Sequence, residues 1–199
     1  MNLANKITMT RIVLSVLLLI MLLFPWSEVG FEWPTYVMKG ISDPINLKFL
    51  IAGGVFAIAS ITDFLDGYIA RSRNMVTDFG KVTDAIADKL LVNGLLIILA
   101  YERSISVVIP VVIISRDIIV DSCKMIAGNK GHVVAASIAG KIKTICMMCG
   151  LTLVLFYNIP FEFINIPVDK ILLILATLLS VISGVQYVSN LSVYFKDMK

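Results

Sequence analysis

Six apolar stretches, separated by charged residues, dominate this chain of 199 residues. Hydrophobic residues make up 58% of the chain and charged residues only 16%, against about 45–50% and about 25% in an ordinary soluble domain. A helix needs roughly 20 mostly apolar residues to cross a bilayer, so the pattern is typical of membrane-spanning helices. The stretches cover residues 12–26, 49–62, 90–101, 104–115, 144–161 and 171–195.

The second, third and fourth stretches are too short to cross a bilayer alone, so each helix must include the charged residues beside it. The second helix is predicted to continue through Asp63 and Asp66 to about Arg71. The third is predicted to begin near Gly80, and the fourth to continue to about Lys124. Without an internal repeat or a change in composition, residues 1–199 are predicted to form one all-α, polytopic membrane domain, a bundle of six transmembrane helices.

The distribution of Lys and Arg predicts the orientation of this bundle. Of the 17 Lys and Arg, the outer side of the six predicted spans holds only Lys39, Lys48, Arg103 and Lys170. Cytoplasmic loops carry the excess of these residues, so both termini are predicted to be cytoplasmic in a multi-pass cell membrane protein. The charged ends of the second, third and fourth helices then form a polar cavity that faces the cytoplasm. A net charge of +3 without a basic run does not indicate nucleic-acid binding.

The segment from 63 to 88 concentrates acidic and small residues at helical spacing: D-x2-D-G-x2-A-R-x8-G-x3-D-x3-D. Positions 63, 66, 67 and 70 share one face of the second helix, and positions 80, 84 and 88 share one face of the third. Four carboxylates at this depth need cations to stay ionised, and carboxylate oxygens suit hard divalent ions such as Mg²⁺. Two metal ions roughly 3.5–4 Å apart would stabilise both the attacking and the leaving oxygen of a phosphoryl displacement.

This pattern resembles the signature of the CDP-alcohol phosphatidyltransferases at every fixed position. That family transfers a phosphatidyl or related group from a CDP-linked donor to an acceptor hydroxyl and releases CMP. The resemblance implies a homodimer and two bound ions of Mg²⁺ or Mn²⁺. It also implies a role for each residue of the signature: Asp63, Asp66 and Asp84 as metal ligands, Asp88 as metal ligand and catalytic general base, Arg71 on the donor diphosphate, and Gly67, Ala70 and Gly80 around the cytidine.

Three further segments are similar to the bacterial phosphatidylglycerophosphate synthases within that family: residues 2–11, residues 115–117 (Ser-Arg-Asp) and residues 137–144 (S-x2-G-K-x-K-T). That subgroup commonly has Pro in place of Ala4 and Glu in place of Asp117. The resemblance implies CDP-diacylglycerol as donor and sn-glycerol 3-phosphate as acceptor. The cations Arg116, Lys141 and Lys143, at the same mouth as the acids, suit an acceptor that carries a phosphate.

Each of these cations also has a purely structural interpretation. Arg116 could pair with an acid of the bundle such as Asp117 or Asp121, and Lys141 and Lys143 could be ordinary cytoplasmic charges at a helix end. Thr8 and Arg11 could line the mouth of the cavity or anchor the first helix at the membrane interface.

Other functions are compatible with part of the pattern. The same chemistry could use inositol phosphate, serine or phosphatidylglycerol as the acceptor. A divalent-cation transporter would need acids near the middle of the membrane with access from both sides, whereas these acids are crowded toward one side. Intramembrane prenyltransferases also hold a diphosphate with aspartates, but their chains are longer and their acids form two separated motifs.

Overall fold

The computed structural model describes residues 3–41, 43–72, 78–129 and 137–195, without the side chains of 3–7, 64–72, 78–82, 84, 129 and 191–195. A two-stranded antiparallel hairpin pairs Thr35 with Asn46 and Tyr36 with Ile45, and is a small exception to the predicted all-α fold. Two 3-10 turns cover Trp26–Val29 and Phe161–Ile164. The elements are α1 (Leu3–Leu23), β1 (Thr35–Tyr36), β2 (Ile45–Asn46), α2 (Leu47–Ser72), α3 (Asp78–Tyr101), α4 (Val108–Asn129), α5 (Ile138–Leu155) and α6 (Val168–Phe195).

For α2 and α3, the observed ends agree with the prediction that each helix includes the charged residues beside its apolar stretch. Helix α2 ends at Ser72 and α3 begins at Asp78, each within two residues of the predicted end. Helix α4 differs, because it begins at Val108, four residues after the start of its apolar stretch, and continues to Asn129, five residues beyond its predicted end. Helix α5 begins at Ile138, six residues before its apolar stretch. Its first two turns contain Lys141 and Lys143, and these charged residues do not count as part of an apolar stretch.

Helix α1 packs against both α2 and α3, while α5 and α6 form the most extensive interface and α4 packs on α6. The shared core contains Phe56 of α2, Leu95 of α3 and Leu151 of α5, all fully buried. Gly94 permits the close crossing of α1 and α3, since a Cβ at this position would lie 2.6 Å from Cδ2 of Leu19. The core therefore holds the helices of the acidic signature against α1.

Among the described residues, two helical segments are long and apolar enough to cross a membrane: Ile138–Leu155 and Val168–Asn190. A shorter apolar helix covers Thr8–Leu23. Large hydrophobic side chains are exposed on the outer faces of several helices, among them Leu17 of α1, Val111 of α4 and Leu178 of α6. Such extensive apolar exposure is typical of a surface in contact with lipid. The chain is therefore mainly helical, with features of membrane association.

Candidate active site

The buried face of α1 changes from polar to apolar along the helix. Its buried residues recur at spacings of three and four, as on one face of an α-helix: Thr8, Arg11, Ser15, Leu18 and Leu22. The Ser15 hydroxyl donates a hydrogen bond to the carbonyl oxygen of Arg11 at 2.8 Å. The two leucines join the core, so the polar part of this face marks the end of the bundle where the acidic residues of α2 and α3 lie.

Asp63 of α2 and Asp88 of α3 both contact Arg11. The guanidinium Nη1 donates to Oδ1 of Asp63 and, at 3.2 Å, to Oδ1 of Asp88. The Arg11 side chain is only 3% exposed, whereas those of Asp63 and Asp88 are 32% and 40% exposed. The cation therefore lies inside the bundle, and the two carboxylates face outward from it toward accessible space. Two aspartates 25 positions apart in the sequence thus converge on one positively charged group.

The remaining residues of the signature lie on continuous helices, but their side chains are outside the described part of the structure: Asp66, Gly67, Ala70, Arg71, Gly80 and Asp84. Helix α2 is uninterrupted from 63 to 72 and α3 from 78 to 88, so the helical spacing on which the sequence argument depends is present. Within the described residues, no group of three or more His, Cys, Asp or Glu is close enough to hold a metal ion. The two described carboxylates, Asp63 and Asp88, offer the oxygen ligands that a divalent ion such as Mg²⁺ prefers, so the donor chemistry fits such an ion.

A second charged cluster joins α4, α5 and α6. Asp117 accepts hydrogen bonds from Nη1 of Arg116 at 2.7 Å and from Nζ of Lys143 at 2.8 Å and 2.9 Å, through its two oxygens. The Lys143 side chain is 5% exposed, so this lysine is buried against its partner. Two cations share one acid, and the cluster therefore carries one net positive charge.

Arg116 is held in place mainly from α6. Its Nε donates to the carbonyl oxygen of Ser180 at 3.1 Å, and its Nη2 donates to the Ser183 hydroxyl at 2.7 Å. The guanidinium also lies over the Tyr187 ring, 5.9 Å from the centroid. Gly184 gives room for this arrangement, because a Cβ there would lie 2.9 Å from Cγ of Arg116. The orientation of Arg116 therefore depends on the small residues of α6.

The three cations predicted to bind the acceptor are placed differently. Arg116 and Lys143 are brought together by Asp117, as the structural interpretation of Arg116 expected. Burial and pairing of Lys143 contradict its interpretation as an ordinary cytoplasmic charge at a helix end. Lys141 is exposed, two residues earlier on α5, and forms no ion pair within the described residues. The acceptor role of all three stays a prediction.

An ion pair between Lys89 of α3 and Asp121 of α4 connects the two clusters. Lys89 follows Asp88 directly, and Asp121 lies one helical turn beyond Asp117 on α4. The pair therefore places the Asp63–Arg11–Asp88 cluster and the Arg116–Asp117–Lys143 cluster at the same end of the bundle.

Sequence reasoning underestimated Arg11 and Asp117. Arg11 was open to interpretation as an interfacial anchor, and its partners lie 52 and 77 residues away in the sequence. A signal was present, since Thr8, Arg11 and Ser15 are polar residues on the face of α1 that continues into the apolar Leu18 and Leu22. The sequence predicts Asp117 only as a partner for Arg116, whereas Lys143 contacts it as well.

Comparison with known proteins agrees with the sequence resemblance. The family model for CDP-alcohol phosphatidyltransferase matches residues 1–182. A Bacillus subtilis protein named CDP-diacylglycerol–glycerol-3-phosphate 3-phosphatidyltransferase is 39% identical over 189 residues, covering 95% of this chain and 94% of the relative. A Rickettsia typhi protein of the same name is 32% identical over 195 residues, covering 98% of this chain and 99% of the relative. The resemblance drawn from the signature is confirmed, and the chain belongs to the CDP-alcohol phosphatidyltransferase family.

Proposed function

We propose that this protein transfers the phosphatidyl group of CDP-diacylglycerol to sn-glycerol 3-phosphate, forming phosphatidylglycerophosphate and CMP in phospholipid synthesis. The names of the relatives support both substrates. The observation that carries the proposal is the convergence of Asp63 and Asp88, from two different helices, on one buried cation. Such a convergence is what the family signature requires of its acidic positions.

The donor would bind at the acidic cluster. We propose that Asp63, Asp66, Asp84 and Asp88 hold two ions of Mg²⁺ or Mn²⁺, which would neutralise the diphosphate and the charge that develops on the departing CMP. Arg71 would contact the same diphosphate, as a guanidinium matches phosphate oxygens in a bidentate way. The small residues Gly67, Ala70 and Gly80 would leave space for the cytidine.

The transfer needs one proton acceptor on the protein, and we assign this role to Asp88. A hydroxyl of glycerol 3-phosphate attacks the phosphorus that carries the diacylglycerol, and its proton passes to the Asp88 carboxylate. A new P–O bond forms, the bond from that phosphorus to the bridging oxygen breaks, and CMP leaves with the electron pair. Asp88 suits this role because its side chain is 40% exposed and accessible to a substrate from outside the bundle.

The acceptor phosphate would bind at the second cluster. Among the described residues, Arg116 and Lys143 pair with one acid, Asp117, so one positive charge would be left for an anion. The hydrogen bonds of Arg116 to Ser180 and Ser183 orient the guanidinium in advance, which reduces the entropy lost on binding. Lys141, which is exposed, would add a weaker attraction at the mouth. This net charge favours a phosphorylated acceptor over serine.

We further propose that all six helices cross the membrane, with both termini and a polar cavity on the cytoplasmic side. The excess of Lys and Arg on that side supports this orientation. Glycerol 3-phosphate and CMP would then exchange with the cytoplasm, while the acyl chains stay in the lipid. The homodimer implied by the family remains a prediction.

Release of CMP by the purified protein in detergent tests the function. With CDP-diacylglycerol and Mg²⁺, we expect release with glycerol 3-phosphate, and little with inositol phosphate, serine or phosphatidylglycerol. EDTA should abolish it. A lipid product formed only with another acceptor would contradict the substrate, and full turnover in EDTA would contradict the metal ions.

Two substitutions test the assigned roles. Asp88→Asn should lower kcat by roughly 10²–10⁴-fold while donor binding persists, because a general base contributes about that much. Arg116→Ala should raise KM for glycerol 3-phosphate more than KM for CDP-diacylglycerol. Equal effects on both values of KM would argue against a separate site for the acceptor phosphate.

A further inference from the structure

Arg11 occupies carboxylate oxygens that the proposed metal ions would use. Its Nη1 donates a hydrogen bond to Oδ1 of Asp63 and, at 3.2 Å, to Oδ1 of Asp88, so one nitrogen atom contacts both acids. A divalent ion on the same two oxygens would have to displace the guanidinium or share its ligands with it. Because both groups are cations, they repel each other at this distance. The guanidinium and a metal ion are therefore competitors for these carboxylates.

Arg11 and an incoming ligand would reach the two carboxylates from different sides. The Arg11 side chain is only 3% exposed and contacts the acids from inside the bundle, whereas the Asp63 and Asp88 side chains are 32% and 40% exposed. A metal ion or a substrate would approach from that accessible side. Arg11 thus has the position of a counter-ion behind the acids, and an incoming ion would meet carboxylates whose charge is already partly neutralised.

Metal binding alone would weaken the contacts of a buried cation. The side chains next to Arg11 on the buried face of α1, those of Thr8 and Ser15, are uncharged, and the Ser15 hydroxyl donates to a carbonyl of its own helix. Neither supplies an anion to the guanidinium, and its burial leaves water little access to it. Removing the ionic partner of a buried charge is strongly destabilising. Ions that bind Asp63 and Asp88 without a further anion are therefore opposed by Arg11.

The donor diphosphate would supply the negative charge that metal binding takes from Arg11. The four aspartates of the signature carry four negative charges, which the two proposed divalent ions balance. Arg11 and Arg71 then add two positive charges, and these match the two negative charges of the diphosphate in CDP-diacylglycerol. Uncompensated charge in a site of low dielectric constant is unfavourable. The neutral combination therefore contains both metal ions and the donor.

We propose that Arg11 couples metal binding to donor binding. It competes with divalent ions for Asp63 and Asp88 in the donor-free protein, and its charge is balanced when the diphosphate binds. The inference rests on the proposed function, which supplies the metal ions and the donor. Arg11 acts through the two carboxylates, so it is a positioning residue and not a catalytic one. Its presence makes the protein bind divalent ions weakly alone and tightly together with CDP-diacylglycerol.

Titration of the full chain in detergent with Mn²⁺, followed by electron paramagnetic resonance of the free ion, tests the competition. Without donor or acceptor, Arg11→Gln should bind Mn²⁺ more tightly than the wild type, by roughly fivefold to a hundredfold, which is the usual range for coupling between two sites. A residue that only holds α1 in place would give the opposite result, because a loosened site binds ions less tightly. Equal or weaker binding of Mn²⁺ by Arg11→Gln would overturn the proposal.

The same titration with CDP-diacylglycerol present, and no acceptor, tests the coupling. The donor should tighten Mn²⁺ binding in both proteins, because a diphosphate binds divalent ions itself, but the gain should be smaller in Arg11→Gln. Coupling is reciprocal, so Mn²⁺ should also improve donor binding less in this variant. The same gain in both proteins would show that Arg11 takes no part in the coupling.

Two further variants make the result specific. Lys141→Gln removes a cation from the same end of the bundle and should change Mn²⁺ affinity much less than Arg11→Gln, because solvent and salt screen an exposed charge. An equal gain would show a general effect of charge and overturn direct competition. Arg11→Lys keeps the charge on a shorter side chain and should have an intermediate affinity. If Arg11→Gln does not fold, as judged by its melting temperature, an Arg11→Lys variant without any gain overturns the proposal.

The proposed function is tested separately by CMP release from the wild type. Absence of release with glycerol 3-phosphate would refute that function, while the Mn²⁺ affinities, measured without acceptor, would still test Arg11. Absence of Mn²⁺ binding in every protein, with and without donor, would contradict the metal ions and overturn this inference with them.

Discussion

Arg11→Gln tests whether a metal ion can take over the place of the buried guanidinium between Asp63 and Asp88. Removing one partner of a buried ion pair costs about 3–5 kcal/mol. Because the two carboxylates are 32% and 40% exposed, water screens them, and we reduce the expected loss in EDTA to about 1–3 kcal/mol. For a chain of 199 residues this corresponds to a fall of roughly 2–12 °C in Tm.

The same substitution should have a smaller effect when Mg²⁺ is present. A divalent ion on Asp63 and Asp88 supplies the positive charge that the variant has lost, so we expect the fall in Tm to be reduced by at least half. The assay is thermal unfolding of the purified protein in detergent, in EDTA and in millimolar Mg²⁺, without substrates. The readout is stability, so it does not depend on catalytic turnover.

Two further variants make this measurement specific. Arg11→Lys retains the charge and should lose less stability in EDTA than Arg11→Gln. Lys39→Gln removes an exposed cation from the α1–α2 connection and should change Tm little under either condition. Equal losses for Arg11→Gln in EDTA and Mg²⁺ would show that no metal ion substitutes for the guanidinium. An unchanged Tm in EDTA would show that Arg11 does not stabilise the acidic pair.

Three more predictions concern the second cluster. Asp117→Asn should destabilise the protein by about 2–4 kcal/mol in the unfolding assay, since it leaves two cations without their shared partner, and an unchanged Tm would contradict this pairing. Lys143→Gln should lower Tm clearly while Lys141→Gln, at an exposed position of the same helix, should not; similar Tm values for the two would contradict the burial of Lys143. Gly184→Ala should shift Arg116, because the added Cβ would lie 2.9 Å from its Cγ, and should raise KM for glycerol 3-phosphate more than KM for the donor. Unchanged kinetics would show that this close approach does not constrain the Arg116 side chain.

Local spacing made much of the acidic site predictable from sequence. The signature positions are three or four residues apart, so a continuous helix places them on one face whatever the rest of the chain does. The short apolar stretches also required α2 and α3 to include Asp63 and Asp88, and both helices do. Hydropathy was less informative for α5, because the buried Lys143 counts as polar although its charge is paired inside the bundle.

Partners that are distant in the sequence could not be predicted in this way. Arg11 reaches Asp63 and Asp88 because α1 packs against both α2 and α3, and a single sequence contains no direct record of that packing. The sharing of Asp117 by Arg116 and Lys143 likewise depends on how α4 and α5 meet. The start of α4 also differs from its apolar stretch, since Arg103 adopts a left-handed conformation in the preceding turn.

Under the proposed function, the opposite charges of the two clusters would allow one end of the bundle to bind two anionic substrates. The Asp63–Arg11–Asp88 cluster has one net negative charge, and the Arg116–Asp117–Lys143 cluster has one net positive charge. Acidic ligands with their divalent ions suit a diphosphate, whereas the same acids would repel the phosphate of an unaccompanied acceptor. A separate cationic site would remove that conflict, and the Lys89–Asp121 pair between α3 and α4 connects the two clusters. The division of charge therefore favours a phosphorylated acceptor over a neutral one for this chain.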